Sequence, residues 1–179
     1  PDRDLFVFDV KTDKLIESVD TLGTLLYGMT VDSKGTVFVA QTDARNDING
    51  RAGTKKHGLK ELGNRAFLNQ VTKVRFENGK AMKPQYFNLE PLPPVDPTEG
   101  MALATPFAIT LSGDDSTLFV TAAGSDKVFS VDANSGEVLG RVAVGAVPRG
   151  ITLEQDTLGK TAKAWVLNAV QNSVSVLDV

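Results

Sequence analysis

At 179 residues with a net charge of −3, the chain suits one ordinary domain and offers no electrostatic reason to expect a nucleic-acid partner. It has no cysteine and a single histidine, His57. That excludes disulfides, a thiol nucleophile and a Cys-rich zinc site, and makes a Ser-His-Asp triad or a multi-histidine metal site hard to build.

In chain order, short alternating apolar runs between Gly, Asp, Asn and Ser turns predict strands. Residues 5–10 form a strand, 11–14 its turn and 15–19 its partner. Residues 27–31 and 36–40 flank a turn at Asp32-Ser-Lys-Gly. Residues 69–76 run to a turn at Glu77-Asn-Gly, and 81–89 return. A strand over 106–111 leads through Ser112-Gly-Asp-Asp-Ser-Thr to 118–122. Strands at 127–132 and 137–145 follow, then 148–153, 165–168 and 173–178. The best short helical candidate is His57 to Phe67. No run of about 18 apolar residues exists, so no membrane-spanning helix is expected.

Three stretches overlay as repeats. Pro106-Phe-Ala-Ile-Thr-Leu matches Pro148-Arg-Gly-Ile-Thr-Leu and, more loosely, Tyr27-Gly-Met-Thr-Val. Phe119, Phe38 and Trp165 recur at one repeat position, which predicts core between blades. Such repetition predicts an all-β β-propeller with one four-stranded antiparallel sheet per repeat. The strand ends Asp9, Arg75, Asp132 and Asp178 lie 66, 57 and 46 residues apart. The excess over a bare repeat of about 40–50 residues marks insertions.

The expected organisation is a half blade over 1–22, a blade over 23–89 with an insertion at 42–68, and a Pro-rich connection over 90–105. A blade over 106–145 and a partial blade over 146–179 complete it. Pro91, Pro93, Pro94 and Pro97 exclude the connection from a central strand and predict an extended surface segment. Thirteen strands, in sheets of two, four, four and three, are too few to close a ring, since closure takes about 4–8 complete blades. The reading is an incomplete propeller, a segment of a seven-bladed parent. Gly28, Gly145 and Gly150 are placed at the start of the innermost strands, where the narrow centre favours small residues.

The series Pro-x-(Gly/Ala)-Ile-Thr, Phe119-Val-Thr-Ala, Lys127-Val-Phe-Ser-Val-Asp and Gly136-Glu-Val resembles the YVTN-type propeller repeats of exported bacterial and archaeal proteins. The tetrapeptide itself departs from the pattern, reading Phe38-Val-Ala-Gln and Trp165-Val-Leu-Asn in the other copies. The resemblance implies a periplasmic or extracellular setting and a binding or scaffold role. It also embraces propeller parts of periplasmic redox enzymes. A second resemblance, carried by Phe38 to Asp47, Asn64-Arg and Asn69-Gln-Val-Thr, is to exported propellers fused to c-type cytochrome domains. It implies haem c bound by residues beyond Val179, and none within the segment.

The first insertion holds the main charge asymmetry. Residues 45–65 carry +4 through Arg45, Arg51, Lys55, Lys56, Lys60 and Arg65 against Asp47 and Glu61, leaving −7 on the rest. With His57 these cations are the partner-binding candidates, suited to an acidic protein face. The alternative is a plain solvated loop. The remaining partners expected are the missing propeller blades or another protein chain. Asp43, Asp47 and Asn49 cluster oxygen ligands and are weak calcium candidates. An EF-hand register fails, because it puts Arg45 first and Lys56 twelfth, where carboxylates are required. Asp114-Asp115 reads as hairpin-turn chemistry rather than an acid–base pair. No catalytic constellation emerges. An oxidoreductase with its cofactor site elsewhere is the enzymatic alternative.

Overall fold

The computed structural model describes residues 3–45 and 62–179. Alternation of apolar and polar residues makes the regular elements of these residues strands. β1 (Leu5–Asp9) and β2 (Lys14–Val19) pair as a two-stranded sheet. β3 (Leu25–Val31), β4 (Val37–Ala44), β5 (Phe67–Val74) and β8 (Gln85–Asn88) form a four-stranded sheet in that order. β9 (Pro106–Leu111), β10 (Thr117–Ala122), β11 (Lys127–Asp132) and β12 (Val138–Ala143) form a second four-stranded sheet. β13 (Pro148–Gln155), β14 (Thr161–Asn168) and β15 (Ser173–Asp178) form a three-stranded one. All pairings are antiparallel, so these four sheets are the expected incomplete propeller.

The structure revises three local expectations. The turn at Glu77-Asn-Gly exists, but it closes a separate two-stranded ribbon, β6 (Phe76–Glu77) with β7 (Lys80–Ala81). Asn78 and Gly79 supply its left-handed backbone, at φ 51° and 75°. β4 and β5 stay in register through Thr42↔Asn69, Asp43↔Leu68 and Ala44↔Phe67, so the insertion spans 45–66 rather than 42–68. Of the helix considered over 57–67, the described part is a turn: Asn64 and Gly63 have positive φ, and β5 begins at Phe67.

Hairpins are shaped by aspartates at recurring positions. Asp9 Oδ1 accepts the Lys11 and Thr12 amides at 3.0 and 2.8 Å, and Asp132 Oδ1 accepts those of Asn134 and Ser135 at 2.9 and 2.7 Å. Asp32 and Asp156 do the same in the turns before β4 and β14. In the turn before β10, Asp114 Oδ1 accepts from the Ser112 hydroxyl at 2.6 Å and from both the hydroxyl and amide of Ser116. These bonds, the Ser112 hydroxyl first, hold the Asp114 carboxyl down at about 2. Asp115 also links two sheets: its Oδ2 accepts the Ser33 amide at 3.0 Å.

The core lies between sheets. Phe38, Ala40, Val71 and Phe87 of the β3–β8 sheet meet Leu118, Val120, Phe129 and Val131 of the β9–β12 sheet. A smaller cluster joins Leu5, Val19 and Leu22 to Val37, Val39 and Val74. Lys73 crosses the larger interface: its Nζ donates to the Ala133 carbonyl at 2.9 Å, and it lies 5.6 and 5.8 Å from the Phe38 and Phe87 ring centroids. Burial, reinforced by the charge of Arg75, pushes its ammonium below the usual lysine range. At the inner edge Gly28 has no room for a side chain: a Cβ there would sit 2.6 Å from the Phe107 carbonyl oxygen. That contact requires glycine at this position of β3.

Candidate functional site

Both interruptions of the repeat emerge at the same end of the sheets. The first leaves the C-terminal end of β4 and returns at the start of β5. The second leaves the C-terminal end of β8 and returns at the start of β9. In antiparallel order, those four strand ends lie together.

Arg65 and Glu90 tie the two segments. Arg65 Nη2 lies 3.1 Å from Glu90 Oε2, and both side chains are largely buried, at 14% and 5% exposure. Arg65 Nη1 donates to the carbonyls of Pro91 and Val95 at 2.9 and 2.8 Å. Glu90 Oε2 also accepts from Asn69 Nδ2 at 3.0 Å, and its Oε1 accepts the Leu103 amide at 2.7 Å. Asn69 Oδ1 takes the Thr105 amide at 3.1 Å. The buried carboxylate is thus fully satisfied, as burial of a charge requires. Leu103 itself is fully buried in the larger core cluster. The Pro-rich connection, expected on the surface, is therefore anchored in both halves, through Glu90, Pro91 and Val95 and through Leu103 and Thr105.

Around this staple opens a cleft of about 760 Å³ lined by Leu25, Tyr27, Phe67, Asp96 and Thr105 among others. A neighbouring cleft of about 350 Å³ lies between Arg45, Leu62, Arg65 and the Pro93-Pro94 pair. Walls of apolar side chains with a few polar groups at the rim are the usual make-up of a small-molecule site.

The expected site residues divide in two. Arg45 turns inward: its Nη1 donates to the Leu62 and Arg65 carbonyls at 2.7 and 3.0 Å. Arg65 is engaged as above. Both guanidiniums therefore hold loop backbone. Asp43 lies on β4 rather than in a loop, and its Oδ1 accepts the Thr24 hydroxyl at 3.0 Å. Asp47, Asn49, Arg51, Lys55, Lys56, His57 and Lys60 lie outside the described residues. Among the described residues, no three His, Cys, Asp or Glu side chains gather as a metal site, and no helix is long and apolar enough to cross a membrane.

Sequence reasoning gave no site role to Glu90, Asn69 and Leu103; Glu90 and Leu103 sit outside the repeating strands, and Asn69 lies near the start of β5. The signal that could have found Glu90 is a lone carboxylate at the head of a proline-rich segment, facing an excess of cations in the other insertion.

A scan against protein-family models finds no match, and a search of curated proteins finds none. Among solved structures, the chain is similar to hydrazine synthase from Kuenenia stuttgartiensis, with a TM-score of 0.75 and 15% identity over 96% of this chain and 50% of that one. It is similar to PpgL, the periplasmic gluconolactonase of Pseudomonas aeruginosa, with a TM-score of 0.58 and 16% identity over 97% and 44%. A functionally unknown protein from Desulfotomaculum acetoxidans matches with a TM-score of 0.52 and 12% identity over 97% and 47%. These likenesses establish the β-propeller fold. The chain spans about half the length of the solved chains it matches.

Proposed function

We propose that the chain is a binding or scaffold segment of a larger β-propeller in an exported protein, with YVTN-type repeats. Its working surface in this reading is the end where the two insertions meet. The observation that carries this reading is the convergence of both interruptions on one buried Arg65–Glu90 staple, beside a cleft of about 760 Å³. Regular strands supply the sheets, so the extra chain serves the surface it builds.

Further blades are the first partners in this reading. The outward face of the last sheet exposes Trp165, Leu167, Val174 and Val176, and that of the first exposes Phe6 and Phe8. Beside the free edge of β15, Val142 and Leu177 line a cleft of about 390 Å³. A fourth strand on β15 would fill it, as in the four-stranded sheets. An acidic protein partner would be taken by Arg51, Lys55, Lys56 and Lys60, since Arg45 and Arg65 are spent on loop carbonyls.

A second reading, the propeller part of a periplasmic redox enzyme with haem c or calcium elsewhere in the protein, draws on the fold likeness to hydrazine synthase. The intact mass of the native polypeptide with its absorbance spectrum tests both. A longer chain without a haem band supports the scaffold reading. A haem band supports the redox reading, and a native chain of 179 residues that binds no further chain overturns both.

A further inference from the structure

Tyr27, Phe107 and Arg149 occupy one position on three successive innermost strands, β3, β9 and β13. The following residues barely vary: Gly28, Ala108 and Gly150, then Met29, Ile109 and Ile151, then Thr30, Thr110 and Thr152. At Gly28 the small residue is dictated by the approach of the Phe107 carbonyl. The apolar residue that follows faces core at Ile109. At the preceding position the chemistry instead changes from phenol to phenyl to guanidinium.

The three side chains touch. The Tyr27 and Phe107 ring centroids are 5.1 Å apart with planes 31° from parallel. The Arg149 guanidinium carbon lies 5.3 Å from the Phe107 centroid. A guanidinium held over a ring face keeps its N–H donors in its own plane, free for bidentate capture of a carboxylate. Arg149 is exposed and makes no ion pair among the described residues. Phe107 lies half-buried between these two neighbours. A ligand ring laid beside this pair can make the tilted or edge-to-face contact that ring quadrupoles favour. Tyr27 also lines the cleft of about 760 Å³, so the row abuts that cleft at its Tyr27 end.

We propose that this row is a binding site for a small aromatic carboxylate. The carboxylate sits on the in-plane edge of Arg149, and the ring lies against Phe107 and Tyr27 at the mouth of the cleft. The proposal deepens the binding-module reading by naming a ligand class.

The test is equilibrium dialysis and saturation-transfer NMR on the full chain with 2-naphthoate as probe, and with acetate and benzamidine as comparators. Saturable 2-naphthoate binding is expected, with weaker acetate binding and no benzamidine binding. R149Q is expected to weaken 2-naphthoate by about tenfold, the loss of one charged hydrogen-bonding partner. R149K should recover part of that loss, and F107L should weaken 2-naphthoate without changing acetate. Thermal melts of each variant confirm folding. No saturable binding, equal affinity for acetate, or undiminished binding to R149Q overturns the proposal. The last outcome would place the probe on the open apolar faces instead. A failed dialysis leaves the native-mass result untouched, so this site and the scaffold reading fail separately.

Discussion

Phe119 and Trp165 stand at the same position of consecutive repeats, and both point away from the first sheet. Phe119 is 9% exposed because the β13–β15 sheet covers it. Trp165 is 40% exposed, with only the Glu154 carboxylate accepting from its indole N–H, at 2.8 Å. Phe6 and Phe8 stack on the opposite outer face, with centroids 6.3 Å apart, and are as open as Trp165. The repeat thus specifies a sheet with two apolar faces, and a neighbouring sheet decides whether a face becomes core. An interior sheet is stabilised from both sides, whereas each end sheet leaves large apolar groups in water. Exposed apolar faces of that kind mark interaction surfaces.

The largest expected effect sharpens that contrast. Phe38→Ala, in the interior cluster, should cost about 3–5 kcal/mol, the range for removing a buried aromatic. Trp165→Ala should cost under about 1 kcal/mol, as surface changes do. Urea unfolding of the two variants measures both. Equal losses would mean that Trp165 is covered in solution.

Glu90→Ala ranks next. It removes the acceptor for Arg65, Asn69 and the Leu103 amide together, leaving a buried guanidinium unpaired. A loss of about 3 kcal/mol is expected. Hydrogen exchange should accelerate at Leu103 and Thr105 before it does in β10. Uniform acceleration would show that the staple serves the whole fold rather than the loop end.

The smallest effect is a dependence on pH. The Asp114 carboxyl is held at about 2, below its ordinary 3.8. The folded state therefore binds fewer protons than the unfolded state between these values. Its stabilisation is complete above about 3.8 and is lost as pH falls through about 2. Asp114→Asn should flatten that part of the acid stability profile. An unchanged profile would locate the acid sensitivity in other carboxylates, Asp9 and Asp132 first; the Thr12 hydroxyl and then hairpin amides hold Asp9 low, and the Ser135 and Asn134 amides hold Asp132 low.

The strands, their hairpin turns and the division into two full and two partial sheets were legible in the sequence. Alternation and turn chemistry are local properties, and they recur at Asp9, Asp32, Asp132 and Asp156. The Arg65–Glu90 staple was not, because it joins residues 25 apart in two segments with no period. Leu103 looked like loop because prolines precede it; its burial depends on a sheet formed by later residues. Arg45 and Arg65 were legible as charges but not as ligands of carbonyls, since charge counting does not say where a guanidinium points. Trp165 was read as core by its repeat position, which holds only where a neighbouring sheet lies against it.

The open apolar faces of the end sheets are proposed to take further blades. Sedimentation velocity of the full chain across a hundredfold concentration range tests this proposal most directly, beside a variant carrying Phe8→Lys and Val176→Lys. The account predicts concentration-dependent association of the parent chain and a monomer for the variant, with similar urea midpoints for the two. A parent chain that stays monomeric throughout would contradict it.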